Sequence, residues 1–402
     1  MTLGRIVLKS LRQHALSTAV TAFSIALAAG LMMAVWAVKA QSRQTFEQVT
    51  GGFDAVLGAR SSKLQLVLNA VFHLEASPAN ILPTDLEAIR KHPAVARAVP
   101  IAMGDNYRGY RIVGTTPDMF AVEYAPGQRL VPRKPGRLFD PTLREAVVGS
   151  FAARRLGLKP GSRFHPYHGL NFDEEESHTH EDEYVVVGVL EPSNTPADRV
   201  IWIPLEGLQT MEGHAAEKAS EISAVLVKLH SAAVGAVLDQ QYNKQGERLT
   251  FAWPIGRSMA DLFDKISWFD RVLGMVAILV AVVAAGSVLA SIYNSMNERR
   301  RQIALFRALG ARRRTVAATV VLEAIAIALI GVVVGYAAYA AILVGAAGVI
   351  RAQTGVVLEA LSWHPVLVWA PLGLVVLSAL AGLVPAIKAY RTEVAEHLAP
   401  TT

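Results

Sequence analysis

Long uninterrupted apolar stretches alternate with one extended region of mixed polarity along this chain of 402 residues. Four of the stretches reach the length of about 20 apolar residues that an α-helix needs to cross a bilayer. They predict membrane-spanning helices over 17–39, 272–296, 315–350 and 363–387. A cleavable signal peptide ending near Ala40 is the alternative for the first stretch. Because signal peptides usually have a shorter apolar core, of roughly 7–15 residues, we expect an uncleaved anchor.

Lysine and arginine residues near the ends of these stretches predict the side of the membrane that each connecting segment occupies. Segment 1–16 carries basic residues and no acid, and segment 297–314 carries seven arginines against one glutamate. The tail 388–402 begins with further basic residues. These three segments are therefore predicted to be cytoplasmic. The long segment 40–271 and the short loop 351–362 are predicted to lie outside.

The segment between the first two spans has the pattern of a folded domain that contains both helices and strands. Continuous β-branched runs predict strands, and short amphipathic runs with capping residues predict helices. The predicted strands cover 110–114, 146–149, 184–190, 200–204 and 224–229. Helices are predicted over 83–91, with Thr84 as the N-cap, and over 151–158.

Apolar residues recur at helical spacing on both sides of this domain. They follow span one and precede span two, at Phe46, Val49, Phe53, Met259, Leu262, Phe263, Ile266 and Phe269. We expect them to extend the two spans into a two-helix stalk, because no turn residue separates Ser258 from span two. Packed helices of the domain itself are the alternative.

Together these patterns predict an α-helical membrane protein with four transmembrane helices and a large α+β extracytoplasmic domain between the first and second spans. The composition agrees, since 52% of the residues are hydrophobic. The chain has no cysteine, which excludes disulfides, thiolate metal sites and cysteine nucleophiles. The net charge of +6 comes from arginines beside the spans and does not indicate nucleic-acid binding.

The cytoplasmic segment 297–314 combines an arginine-rich face with an apolar stripe. Ile303, Phe306 and Leu309 recur at helical spacing beside Leu305, and Gly310 stands where a helix C-cap would. The positive-inside rule explains the arginines but not the apolar stripe. A cytoplasmic helix with an apolar face needs the membrane lipid or another protein as a partner.

The same segment resembles a known signature. Glu298-Arg299, Gln302-Ile303 and Arg307-Ala308-Leu309-Gly310-Ala311 match Glu-Arg-x-x-Glu-Ile-x-x-x-Arg-Ala-x-Gly-Ala except at Gln302, where the family has glutamate. This signature marks the FtsX-like permeases of the MacB, LolC and LolE type, and the order of spans and outer domain is similar as well. The resemblance assigns ATPase coupling to Glu298, Arg299, Ile303, Leu305, Phe306, Arg307, Leu309 and Gly310.

The resemblance implies a multi-pass permease subunit in the inner membrane of a bacterium, without enzymatic activity or a cofactor of its own. Two copies of a separate ABC ATPase, carrying ATP and magnesium, are its implied partners, together with a second copy of the chain or a related permease. The chain lacks the phosphate-binding pattern Gly-x-x-x-x-Gly-Lys-Ser/Thr. The implied activity is export or extraction of a lipoprotein, peptide, lipid or drug, with a periplasmic adaptor or substrate protein as a further partner.

A second function is left open by an unusual segment of the outer domain. Four histidines and seven carboxylates fall within residues 165–183. Because histidine and carboxylate are ligands of zinc, we consider His165, His168, His178 and His180 candidate ligands, with a solvated acidic loop as the alternative. The competing function is therefore a membrane-anchored receptor or metal sensor that works without ATP hydrolysis.

Two features of the third span also suggest contacts. Gly331 and Gly335 form a GxxxG pattern, which favours close helix packing either within the chain or across a dimer. Glu323 lies near the predicted cytoplasmic end of the span, where anchoring and coupling are both open.

Overall fold

A computed structural model describes residues 3–170, 179–211, 222–298, 311–357 and 363–391. The chain divides into two compact units. The membrane unit comprises the described residues of Met1–Gln41, Ile266–Gly348 and Glu359–Thr402, and the sheet unit those of Ser42–Lys265 and Val349–Leu358.

The described helices are, in chain order, α1 Leu3–Gln13, α2 Ala15–Gln48, α3 Lys63–Ala70, α4 Pro83–Arg90, α5 Ser150–Leu156, α6 Leu205–Gln209, α7 Gly235–Gln240, α8 Ile255–Lys265, α9 Ser267–Glu298, α10 Arg313–Thr354 and α11 Val366–Arg391. The described strands are β1 Ala55–Ala59, β2 Val95–Tyr107, β3 Tyr110–Thr115, β4 Glu123–Ala125, β5 Gln128–Arg129, β6 Glu145–Val148, β7 Arg163–Phe164, β8 Tyr167–His168, β9 Tyr184–Val189, β10 Ile201–Pro204, β11 Ala224–Leu229 and β12 Leu249–Ala252.

Four of the described helices, α2, α9, α10 and α11, are long and apolar enough to cross a membrane. The first three contain the predicted spans 17–39, 272–296 and 315–350 in full. Helix α11 begins at Val366, three residues after the predicted start of the fourth span, because Pro365 disfavours helical backbone angles at the preceding His364. A separate amphipathic helix, α1, precedes the first span in the chain and buries Val7, Ser10 and Leu11.

The sheet unit is built on a mixed ten-stranded sheet in its described part. Nine strands follow the order β12-β1-β11-β2-β3-β10-β6-β9-β7, and β8 pairs with β2. The β3–β10 and β6–β9 pairs are parallel, and the other pairs are antiparallel. Strands β4 and β5 form a small sheet of their own.

Both faces of the large sheet are covered, which explains why its strands are continuous apolar runs in the sequence. Along β10, Trp202 points into one core cluster, and Ile201 and Ile203 point into another. Along β11, Leu226 and Val227 divide in the same way between the first cluster and a third. All five predicted strands are confirmed within one or two residues at each end, as β3, β6, β9, β10 and β11.

Two local predictions were wrong in detail. Helix α4 begins at Pro83 with Leu82 as its N-cap, not Thr84, because the Asp85 carboxylate accepts a hydrogen bond from the Leu82 amide at 3.0 Å. The second stalk segment is not one helix with span two, since the chain turns at Ile266 between α8 and α9. Span one does continue without interruption, as α2 ends only at Gln48.

Candidate functional site

Most of the predicted ATPase-coupling site lies outside the described residues. Helix α9 ends at Glu298 and α10 begins at Arg313. Arg299, Ile303, Leu305, Phe306, Arg307, Leu309 and Gly310 all fall in the interval between the described ranges. Their assignment to coupling therefore stays a prediction from sequence.

The GxxxG glycines of α10 lie against α2 of the same chain. A Cβ atom on Gly331 would lie 2.7 Å from the Ile25 Cβ, and one on Gly335 would lie 2.8 Å from the Ala29 Cβ. Both distances are far below van der Waals contact. Only glycine at these positions lets the two helix backbones approach this closely.

Glu323 of α10 is buried within the membrane unit, where the Ser10 hydroxyl of α1 donates a hydrogen bond to its carboxylate. Ser10 is also buried. The amphipathic N-terminal helix is thereby fixed to the third candidate span by a polar contact. The sequence did not indicate this partner, because 313 positions separate the two residues.

The segments predicted to form a stalk contact each other inside the sheet unit. The Phe46 and Phe263 rings lie 6.1 Å apart edge to face, and Arg43 binds Asp264 at 2.9 Å. Arg43 also pairs with Glu47 one turn along α2. The Arg43–Asp264 pair therefore links the end of α2 to α8 within the sheet unit.

Two of the four predicted zinc-ligand histidines come together with an aspartate that sequence analysis missed. Strand β8 pairs with β2 so that His168 faces Asp105 directly. The His180 amide donates to the Pro166 carbonyl at 2.9 Å, which brings its ring beside the same carboxylate. Asp105 Oδ1 lies 3.2 Å from His180 Nε2 and 3.5 Å from His168 Nδ1.

This Asp105–His168–His180 group has the chemistry of a metal site. The candidate ligand atoms all lie within 4.8 Å of one another. Ligands about 2.0–2.1 Å from a tetrahedral zinc ion are separated by about 3.3 Å, close to the two distances above. The Asp105 side chain is fully buried, that of His180 is nearly so, and that of His168 is about half exposed. An ion held here would therefore be reached from the His168 side.

The other two predicted ligands are not in this group as described. His165 is exposed, and His178 lies outside the described residues. Nearby acids are engaged differently, since Asp182 is buried against Arg144 and Glu183 pairs with Arg163 at 2.5 Å. The alternative of a wholly solvated acidic loop is therefore wrong for His180 and Asp182. The sequence did not indicate Asp105, because it lies about 60 positions upstream of the two histidines, at a bulge in β2.

Comparisons with known protein families cover both units. Residues 15–241 match the MacB-like periplasmic core domain, and residues 274–394 match the FtsX-like permease C-terminal domain. No curated protein sequence matches the chain.

Two solved structures of isolated domains are among those that resemble the chain. One is the extracellular domain of the noncanonical ABC-type transporter YknZ from Gram-positive bacteria. It is 17% identical, with a TM-score of 0.32, covering 49% of this chain and 99% of that one. The other is the periplasmic region of MacB from Actinobacillus actinomycetemcomitans. It is 12% identical, with a TM-score of 0.36, covering 55% of this chain and 96% of that one.

Proposed function

The chain belongs to the FtsX/MacB-type family of ABC transporter permeases, and we propose that it couples a separate ABC ATPase in the cytoplasm to movement of its extracytoplasmic sheet unit. The family works in general with a partner ABC ATPase, and the chain is a multi-pass membrane protein with an extracellular domain. We also propose that the chain lies in the bacterial inner membrane and forms a dimer with a second copy of itself or with a related permease. The dimer would bind two copies of the ATPase.

The observation that carries this proposal is the coupling signature at 298–311, inside the FtsX-like match and between two candidate spans. The arginines of this segment favour the cytoplasmic side. An apolar stripe there requires a partner, and an ATPase subunit fits that need.

Continuity of the backbone supports a mechanical mode of action. Helix α2 contributes Ala15–Gln41 to the membrane unit and continues to Gln48 in the sheet unit, and α10 also contributes residues to both. A helix with unbroken backbone hydrogen bonds transmits displacement along its axis better than an irregular linker. We propose that α2 and the contacts of Phe46 and Arg43 with α8 carry the movement outward. The cargo would be a lipoprotein, peptide, lipid or drug in the envelope.

Replacing Phe306 with aspartate tests the coupling site. A charge placed in an apolar docking pocket typically costs about 2 kcal/mol or more, which weakens binding at least tenfold. The tagged full chain, purified from its native membrane, should bring with it an ABC ATPase identified by mass spectrometry. The Phe306→Asp protein should lose that subunit and the ATP hydrolysis that accompanies it.

Arg300→Gln is the matched control, because it changes charge in the same segment without touching the apolar stripe. An exposed rim charge contributes roughly 0–1 kcal/mol, so this variant should retain most of the ATPase. Full retention of ATPase and normal hydrolysis by Phe306→Asp would show that this segment is not the coupling element.

The Asp105–His168–His180 group supports a second proposal, that the sheet unit binds zinc. The aspartate and the two histidines would hold the ion, and a water molecule or another residue would complete the usual four ligands. A zinc site is compatible with a metal-dependent permease and also with the competing function, a metal sensor.

Zinc titration of the purified full chain by calorimetry tests this second proposal. Asp105→Asn and His168→Ala should each weaken binding by tenfold or more, since the first removes the negative charge of the carboxylate ligand and the second removes a ring-nitrogen ligand. His165→Ala is the control, because it removes a neighbouring exposed histidine that lies outside the group, and it should bind like the wild type. The absence of saturable binding by the wild type would reject the zinc site.

A further inference from the structure

A cavity of about 400 Å³ lies wholly within the sheet unit, at the edge where the parallel strands β3 and β10 begin. Its size falls in the usual range of small-molecule sites, roughly 300–1,000 Å³. Two arginines line it, Arg111 on β3 and Arg199 just before β10. Arg111 directly precedes Ile112, which pairs with Ile201, and Arg199 stands two residues before Ile201.

The two guanidinium groups are half-buried and share the cavity. No ion pair joins Arg111 or Arg199 to a carboxylate among the residues that the structure describes. Arg111 donates to the Leu170 carbonyl, and Arg199 lies 5.7 Å from the centre of the Tyr110 ring. The Arg199 Nε is buried and has no hydrogen-bond partner within the described ranges.

The charged form of both arginines is disfavoured in this cavity. Burial, and then the positive charge of Arg199, lower the pKa of Arg111 below its ordinary value, although the charge of Glu75 opposes this shift, and burial lowers the pKa of Arg199 as well. Two like charges in a half-buried site repel each other, and removal from water adds a further cost. Paired arginine forks are the groups that bind carboxylate and phosphate oxygens best.

The cavity is also lined by a histidine, His73, whose backbone conformation is strained. His73 is buried, and its φ of 54° lies in the left-handed region that few residues other than glycine adopt. Burial, and then Arg111, lower the pKa of His73 to about 3, so the ring is neutral at physiological pH. Its Nδ1 is buried without a hydrogen-bond partner in the described part of the chain. Such strain is concentrated at ligand sites in other proteins.

The remaining walls are mainly apolar. Phe72, Leu74, Pro196 and Val200 line the cavity, with Gln353 and Gly109 at its exposed rim. Gln353 lies in the last turn of α10, and Val356, just beyond the end of that helix, is buried in the core of the sheet unit. A Cβ on Gly355 would lie 3.0 Å from the Arg199 Cγ, so this segment packs closely against one of the arginines.

We propose that this cavity binds a phosphate-type oxyanion, held between Arg111 and Arg199, that carries an apolar substituent against the remaining walls. The chemistry is shared by a free organic phosphate and by the headgroup of an anionic phospholipid. The proposal is independent of ATPase coupling and of the zinc site, since none of its residues belongs to either.

Calorimetric titration of the purified full chain in a non-ionic detergent tests this proposal, with inorganic phosphate and short-chain phosphatidylglycerol as probes. The wild type should bind at least one of them saturably. Arg199→Gln and Arg111→Gln should each weaken that binding tenfold or more. Arg129→Gln removes the same charge at an exposed site paired with Glu123 and should leave binding unchanged.

The two probes separate the two sources of the ligand. Binding of phosphatidylglycerol at least tenfold tighter than phosphate identifies a lipid headgroup, and comparable affinities identify a free oxyanion. Short-chain phosphatidylcholine, whose headgroup has no net charge, should bind at least tenfold more weakly than phosphatidylglycerol if the lipid is the ligand.

Thermal unfolding of the variants distinguishes the loss of a ligand contact from a loss of binding caused by unfolding. Because Arg199→Gln relieves repulsion between two half-buried charges, its melting temperature should equal or exceed that of the wild type. Failure of the wild type to bind either probe saturably, unchanged binding by Arg199→Gln, or equal weakening by Arg129→Gln would each overturn the proposal.

Discussion

The membrane unit and the sheet unit differ in how far their large apolar side chains are exposed. In the sheet unit, Trp202 and Phe251 are completely buried between strands and covering segments. In the membrane unit, Trp369 is 68% exposed and Val283 is 61% exposed, and many apolar neighbours are similar. One unit hides its apolar surface from water, whereas the other presents it to the hydrocarbon of a bilayer.

The contrast extends to the residues that specify packing. The hydrophobic effect drives the core of the sheet unit, so large side chains dominate there. It does not drive helix association within lipid, where close backbone approach between small residues is more important. Gly331, Gly335 and Gly30 at the α2–α10 contact follow that rule. The same substitution should therefore have different consequences in the two units.

The largest expected difference concerns tryptophan. Trp202→Ala should destabilise the sheet unit by about 3–5 kcal/mol, because it leaves a large cavity at the centre of the core. Trp369→Ala, on an exposed face of α11, is the matched control and should change stability little. Thermal unfolding and limited proteolysis of the full chain in detergent measure both. Equal effects of the two substitutions would remove the distinction between the units.

A smaller difference is expected between two glycines of α10. Gly331→Leu forces a side chain against Ile25 and should cost about 1–3 kcal/mol through overpacking. Gly345→Leu is the control on the same helix, because a Cβ there meets no atom within 4 Å. Resistance to unfolding by denaturing detergent compares the two variants. If Gly331→Leu proves as stable as Gly345→Leu, the α2–α10 contact is not tight.

The smallest expected effect is a pH dependence confined to the sheet unit. The hydrogen bond from Arg137 is the largest influence that lowers the pKa of Glu145 below its ordinary 4.5. The stabilisation of the folded state by the Glu145–Arg137 pair is therefore complete above pH 4.5. It disappears as the pH falls through the lower pKa that Glu145 has in the folded protein. Glu145→Gln should remove it, at a cost below about 1 kcal/mol because Arg137 is exposed.

Thermal unfolding at pH 7 and at pH 3.5 measures this effect. The difference in melting temperature between pH 7 and pH 3.5 should be smaller for Glu145→Gln than for the wild type. Glu87→Gln removes a carboxylate from an exposed pair and serves as the control. An unchanged difference in Glu145→Gln would show that the Arg137 contact does not stabilise the fold.

Sequence patterns predicted the local elements well, because each depends on neighbours in the chain. The four candidate spans and the strands around Tyr184 and Trp202 follow from continuous apolar runs. Details at element ends were less accurate, as at Leu82 and Ile266, because capping and turn geometry depend on single hydrogen bonds.

Contacts between distant positions could not be predicted in the same way. Asp105 joins His168 and His180 only because a bulged strand brings it opposite β8. Arg111 and Arg199 meet only because β3 and β10 are parallel neighbours, although the chain separates them widely. No local pattern of charge or spacing marks either group, since each is assembled by the topology of the sheet.

The most direct test of the account is whether the sheet unit and the coupling segment face opposite sides of the membrane. The chain has no cysteine, so a single introduced cysteine is its only thiol. Val131→Cys places one on the surface of the sheet unit, and Arg312→Cys places one beside the coupling segment. A membrane-impermeant maleimide should label Val131→Cys in intact spheroplasts and Arg312→Cys only after lysis. Labelling of Arg312→Cys in intact spheroplasts, or of Val131→Cys only after lysis, would contradict the account.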